Sequence, residues 1–459
     1  MSSATSHSNL SMPLVASAPA TVKAHQQAAL PPGPGGSLWP SYQLIFKPLQ
    51  AIPAWRERFG PTFTVNRLGI PTVITGDPEL IAQIYAAKDP DLYAAAVPEP
   101  ADVLLGAGSL LLRSGEAHKN ERKLMMPPFH GERMRAWAEA IAAAGRRAFA
   151  RRGNARALDL TQQAALEVII RVIFGVDDEA RVRTFADAVL AMTEATRAGF
   201  LFSRSLQRDV FGVSPYARFR RAVERLDALL FDQIARTRAS LDGRTDVLAD
   251  LLRARYDDGS SMDDATIRDH LRTLLFAGHE TTAVILAWAI YFVHRDPDVL
   301  ARVRTELETL GPDAGAESLT RLPYLAAVID ETLRIRPISA DTVRLLTKPW
   351  RLGPWQLEAN MAVSAAPLIA HFDPALWPEP HAFRPERFLD EHPRPNVYLP
   401  FGGGARRCLG ATFARFEASV LLGTLLREHE VELLEREVEW VRAPTTLQPG
   451  SGVRIRVDG

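Results

Sequence analysis

Residues 400–410 read Pro400-Phe401-Gly402-Gly403-Gly404-Ala405-Arg406-Arg407-Cys408-Leu409-Gly410, and a helical pattern begins immediately afterwards. Glycines at 402–404 and 410 free the backbone for left-handed conformations and for close approach to a flat ligand. Cys408 is the one cysteine in 459 residues, which excludes an internal disulfide, an all-cysteine zinc site and a four-cysteine iron–sulfur cluster. It stands just before a helix N-terminus and beside two arginines, and both features favour thiolate over thiol. Several readings compete for such a loop. A phosphate loop needs Gly-Lys followed by Ser or Thr, which is missing here. A nucleophilic cysteine needs a supporting histidine, and none is local. An isolated cysteine is ordinarily a small buried hydrophobe. A thiolate held in a rigid loop is also the ligand a haem iron needs for O–O cleavage, and the loop alone leaves the buried-cysteine reading open beside it.

Outward from the loop, the chain reads as mainly helical. A helix is expected over about 411–428. The spacing predicts another from a capping box at Ser261-Met262-Asp263-Asp264 to His294, where Asp296-Pro297 stops it. At 1.5 Å per residue that helix is roughly 48 Å long. Further helical periodicity covers 116–154, 159–175, 179–196, 215–241, 297–310 and 322–336. A two-stranded ribbon is expected over 62–75, then a short helix capped by Asp77, with a long loop over 89–115. Strands fall between 342 and 364 and at the C-terminus. Residues 1–36, rich in Ala, Pro and Gly near their end, read as a disordered leader, and 37–459 as one domain.

Hydrophobic residues make 47% of the chain and charged residues 24%, a globular balance. Lys+Arg and Asp+Glu are 54 each, so overall charge points to no nucleic-acid partner. The longest apolar stretch, 274–293, contains His279-Glu280, an ionisable pair that is costly in lipid. It reads as a buried helix, with no membrane partner. No signal peptide is evident, and the expected location is the cytoplasm.

The loop matches Phe-x-x-Gly-x-Arg-x-Cys-x-Gly through Phe401, Gly404, Arg406, Cys408 and Gly410. In this the chain resembles the cytochrome P450 family over roughly 37–459. The resemblance implies a triangular, mainly helical prism with a small β-rich region. It also implies one haem b with Cys408 on the iron. Three further motifs fit. Glu331-Thr332-Leu333-Arg334, with Arg387 in Phe383-Arg384-Pro385-Glu386-Arg387-Phe388, is similar to the family's structural network holding the haem loop. Ala277-Gly278-His279-Glu280-Thr281-Thr282 is similar to its oxygen-activation motif. There Gly278 would admit dioxygen and haem, Thr281 would hydrogen-bond the distal oxygen, and Glu280 would relay protons. His118 and Arg122, four apart on one helix face, match the family's propionate-binding pair. Many members carry tryptophan where His118 stands, and histidine is also a family choice. Arg344 and Arg406 are the other propionate candidates.

The implied reaction inserts one atom of dioxygen into an apolar substrate and reduces the other to water. Electrons come from NAD(P)H through a ferredoxin and its reductase, to a monomer, with docking near Arg406, Arg407 and Arg415. Pocket walls are expected from 94–112, 192–213, 273–281, 338–343 and 444–449. They include Val97, Leu104, Leu105, Phe200, Leu201, Phe202, Phe276, Ile338 and Leu447, for a lipid, terpenoid or polyketide-like molecule. A peroxide-driven oxygenase and a haem-binding sensor remain as alternatives, and the Glu280–Thr281 pair argues against both.

Overall fold

The computed structural model describes residues 30–458 apart from 96, 98, 130, 391 and 392. Residues 1–29 of the expected leader therefore lie outside the described residues. Pro32 and Gly33 lie against Thr64: Pro32 O accepts from Thr64 N at 3.1 Å, and a Cβ on Gly33 would meet the Thr64 carbonyl.

The organising element is the 32-residue helix Asp264–Arg295. Its cap is Asp263, whose carboxylate accepts from Thr266 N at 2.6 Å, rather than the expected Ser261. A carboxylate at this position satisfies an orphan amide and meets the positive end of the helix dipole. The helix ends where Asp296 caps the next one, Pro297–Glu308. From Thr282 to Val293 every side chain is buried, with Trp288 fully so. Each large apolar side chain buried there contributes about 1.5–3 kcal/mol. Around it pack Ala157–Val168, Pro323–Ile335 and Ala411–Glu428.

The ribbon of Thr62–Arg67 and Ile70–Thr75 forms, and belongs to a five-stranded sheet with Ala362–Ala365, Thr342–Leu346 and Tyr93–Ala94. Arg344 stands opposite Val363 in it. A second sheet pairs Gly153–Arg156, Arg454–Asp458 and Glu430–Leu433. Trp440–Arg442 and Leu447–Pro449 form a hairpin whose turn reaches the long helix.

The helix expected over 116–154 is divided. Gly115–Met125 stops before Pro127-Pro128, and the chain resumes as Glu132–Ala136 and Ala138–Phe149 before a strand at Gly153. The two prolines remove amide donors and disfavour a helical residue before them. The expected loop over 89–115 contains a short strand at Tyr93–Ala94 and a helical turn at Asp102–Leu105.

Candidate active site

The cysteine loop is shaped by contact with the helix Pro78–Ala86. Gly402 and Gly404 hold φ of 61° and 64°, the left-handed region that glycine favours. A Cβ on Gly403 would lie 2.1 Å from the Tyr85 ring, and one on Gly404 2.5 Å from the Tyr85 carbonyl. These two glycines therefore let the loop close on Tyr85. Around Gly410, by contrast, nothing stands within 4 Å of a built Cβ. Cys408 N donates to Phe401 O at 2.9 Å, closing the loop on its own signature phenylalanine.

Cys408 has an exposed face while its thiol is desolvated by surrounding protein, as expected of a side chain bordering an internal space. Burial raises its pKa; the Gly410 amide, Arg122 and Arg407 pull the other way without prevailing. The expected balance towards thiolate is thus reversed by desolvation, and a metal must displace the proton.

Four basic side chains from three segments gather beside the thiol. His118 and Arg122 share the helix Gly115–Met125, Arg344 lies on its strand and Arg406 in the loop. His118 is pushed down to about 4 by burial and by Arg406, Arg122 and Arg344. Burial lowers Arg406 to about 10, with Arg344 and Arg122 adding to the effect. Burial likewise lowers Arg122 and Arg344. Arg406 Nη2 donates to Arg113 O at 2.7 Å, and Arg344 reaches Val343 O at 2.9 Å. Among the described residues none of the four meets a carboxylate within salt-bridge distance. Mutually repelling, half-buried cations without acids are costly. They fit a ligand carrying two carboxylates beside a soft thiolate, which is the donor set of haem.

On the long helix, Ala277 is exposed although Leu275 and Thr282 nearby are buried. Thr281 Oγ1 donates to Ala277 O at 2.7 Å. Gly278 faces a neighbour: a built Cβ would lie 3.3 Å from Ile169 Cδ1. Its small size thus serves helix packing, and it is Ala277 that is left uncovered. The Glu280 carboxylate accepts from Thr445 Oγ1 at 2.6 Å and Thr446 Oγ1 at 2.9 Å, both on the turn after Trp440–Arg442.

Glu331, Arg334 and Arg387 come together in a buried cluster. Arg334 bonds both Glu331 oxygens at 2.6 and 2.8 Å, and Arg387 Nε reaches Glu331 at 3.2 Å. Arg334 also donates to the carbonyls of His371, Pro380 and Ala382. His371, which the motifs did not mark, links this cluster to the cysteine loop. Its Nδ1 bonds Arg334 O at 2.9 Å and its Nε2 meets Leu399 N at 2.8 Å. A carbonyl can only accept and an amide can only donate, so the proton sits on Nδ1. Burial, with Arg334 adding to it, lowers His371 to about 3.

Two further groups carried little sequence signal. Glu121 accepts from Tyr256 at 2.8 Å and meets His270 on the long helix at 2.8 Å, clamping the helix that bears His118 and Arg122. Glu417, within the apolar face of Ala411–Glu428, is pushed by burial up to about 8 and bonded by the Thr282 hydroxyl. A lone acid in an apolar helical run was its one visible sign.

The expected pocket residues Leu104, Leu105, Phe200 and Leu447 are buried, with Phe200 against Tyr216 and Phe219 at 5.5 and 5.6 Å. Val97, Leu201, Phe276 and Ile338 are partly buried beside them. The Phe202 side chain lies outside what the structure describes. Of the three arginines expected to face a partner, Arg406 turns into the cationic cluster and Arg415 is paired with Asp330.

The family description "Cytochrome P450" matches residues 31–454. Cytochrome P450 135B1 of Mycobacterium tuberculosis is 35% identical over 443 residues, covering 93% of this chain and 91% of that protein. Cytochrome P450 137 of the same species is 34% identical over 407 residues, covering 87% and 83%. The solved structure of retinoic-acid-bound cyanobacterial CYP120A1 covers 94% of this chain and 100% of its own. It superposes with a TM-score of 0.80 at 24% identity, a likeness of fold. The chain belongs to the cytochrome P450 family. It is a haem-dependent monooxygenase, an oxidoreductase that uses dioxygen and an organic substrate.

Proposed function

We propose that this enzyme binds haem b through Cys408 Sγ, with His118, Arg122, Arg344 and Arg406 holding the two propionates. The observation that carries the reading is the set of four basic side chains without an acid beside a thiol with an open face. His118, neutral at physiological pH, donates one ring N–H while the arginines supply charge. The haem, once bound, supplies reductive activation of dioxygen at its iron. The chain's own task is then to deliver protons without admitting bulk water. Glu280 is the titratable carboxylate, held at the turn by Thr445 and Thr446. Thr281, whose hydroxyl proton is committed to Ala277 O, presents oxygen lone pairs towards the uncovered side of the helix.

The partly buried apolar side chains of Val97, Leu201, Phe276 and Ile338 support an apolar substrate, a lipid, terpenoid or polyketide-like molecule undergoing hydroxylation or epoxidation. Electrons are assigned to a ferredoxin and its NAD(P)H-dependent reductase. Arg407, exposed and without an acidic partner among the described residues, is the docking residue of the original three. Among the described residues one helix, Asp264–Arg295, is long and apolar enough to cross a membrane, and 61% of its most apolar window is buried inside the protein, which supports a core helix of a protein acting in the cytoplasm, assigned as a monomer. Product formation with ferredoxin, reductase and NADPH, but not with hydrogen peroxide alone, is the expected result. Peroxide-driven turnover at an equal rate would refute the electron route.

A further inference from the structure

A cleft of about 720 Å³ shares no lining residue with the site above. Leu49, Pro53, Arg56 and Glu57 line it on one side, Leu368, Phe372 and Asp373 on another, and Trp440 and Arg336 complete it. Pro53 and Glu57 are exposed at its rim, whereas Leu368 is buried. The Arg56 guanidinium is already matched, with Asp373 at 3.2 Å and Phe372 O at 3.3 Å.

Arg336 is not matched. Its guanidinium carbon lies 4.9 Å from the Trp288 ring centre, 5.3 Å from Phe292 and 5.1 Å from Trp440. Nη1 donates to the adjacent Ile335 O at 2.9 Å. Nε is sealed from solvent without an acceptor, and so is the indole N–H of Trp440 beside it. Among the described residues no carboxylate pairs with Arg336. Burial lowers it to about 10, and the charges acting on it include two more arginines, Arg295 and Arg334. The leader cannot supply the missing charge, because residues 1–29 contain no Asp or Glu. Aromatic faces stabilise a cation but accept no N–H bond in its plane. An unpaired guanidinium that lines the cleft among aromatic rings is a site for an anion with a flat apolar body. The tilted series of His381, Phe372 and Trp440, with ring centres 5.3 and 6.3 Å apart, offers an aromatic surface.

We propose that this cleft binds a small aromatic or otherwise flat apolar carboxylate, its carboxylate on Arg336 and its body against Trp440, Phe372 and Leu49. The inference stands apart from the haem chemistry and survives if the proposed substrate class fails.

The test is calorimetric titration of the haem-loaded enzyme with 2-naphthoate and, separately, with the neutral naphthalen-2-ylmethanol, while the Soret band is recorded. One site is expected for the acid, with the alcohol weaker by roughly tenfold or more, and with the Soret band unmoved. Arg336→Met should abolish the preference for the acid. Leu49→Trp, which fills the cleft without touching the arginine, should block both ligands, so the proposal stays testable if the first variant fails to fold. Equal affinity for acid and alcohol, no heat with the acid, binding that persists in Leu49→Trp, or a Soret shift on binding would each overturn it.

Discussion

Two clusters of buried charge approach the cysteine loop from different sides, and they are built on opposite plans. In the Glu331–Arg334–Arg387 cluster each cation faces a carboxylate or a row of carbonyls, and none of the side-chain nitrogens or oxygens is sealed without a partner. In the His118–Arg122–Arg344–Arg406 cluster the cations face one another and a neutral thiol. Desolvated charge is tolerated only when paired. The first cluster is therefore complete in the protein alone and acts as architecture, whereas the second is completed by what it binds.

Replacing Cys408 tests the open cluster most severely. Its thiol accepts and donates no hydrogen bond to a side chain, so Cys408→Ala should leave the haem-free fold within about 1 kcal/mol of the parent. The same change should remove the thiolate-type Soret band of the reduced carbon monoxide complex and lower turnover by at least about a thousandfold. Retained oxidative activity would sink the assignment of this residue.

The closed cluster should break differently. Glu331→Gln strands Arg334 with an unbalanced buried charge and is expected to cost about 3–5 kcal/mol, read as a lower melting temperature before any haem is added. Glu331→Leu combined with Arg334→Leu should cost less than the sum of the two single changes, because the uncompensated charge goes with the pair. Arg122→Gln with Arg344→Gln should show the reverse signature. Relief of mutual repulsion leaves the haem-free protein as stable or more so, while loss of two charge-assisted bonds weakens haem retention by roughly ten- to a hundredfold. Equal destabilisation of the haem-free protein by both sets of variants would erase the distinction drawn between the clusters.

Much of the open cluster was legible in the sequence because its members carry chemistry in short motifs: Cys408 and Arg406 in one loop, His118 and Arg122 on one helix face. The long helix was legible from apolar periodicity, although its cap is Asp263 and not Ser261, both residue types being competent caps. What could not be read is what local spacing does not encode. His371 lies 37 residues from Arg334 and joins it only through backbone atoms. Thr445 and Thr446 meet Glu280 across 165 and 166 residues. The role of Gly403 depends on a ring at Tyr85, far away in the chain.

The link through His371 gives the closed cluster a pH signature that the open one lacks in the same sense. In the unfolded chain this histidine titrates near its ordinary value of about 6.5; folded, it is held down to about 3. Between those values the unfolded state binds the extra proton, so stability is full above about pH 6.5 and falls as pH drops, by up to about 1.4 kcal/mol per unit from this residue. Denaturant melts of parent and His371→Gln at pH 7 and pH 5 should show a smaller loss in the variant. An identical slope would mean that other groups dominate the acid limb.

The smallest expected effect concerns the distal side. Both oxygens of Glu280 accept from threonine hydroxyls, which hold the carboxylate at the turn, so swinging it to hand a proton towards Thr281 requires at least one of those bonds to break. A typical net hydrogen bond is worth about 1 kcal/mol, or roughly fivefold in a rate that depends on breaking it. Thr446→Val should therefore quicken the proton-dependent step of a single turnover by up to about fivefold and diminish its solvent isotope effect, whereas Glu280→Gln should slow the same step. A slower step in Thr446→Val would show that the hydroxyl places the carboxylate for transfer instead of restraining it. The distal acid would then resemble the closed cluster, a charge whose partners are part of its working geometry, and the turn around Thr445 and Thr446 would be a positioning element of the reaction.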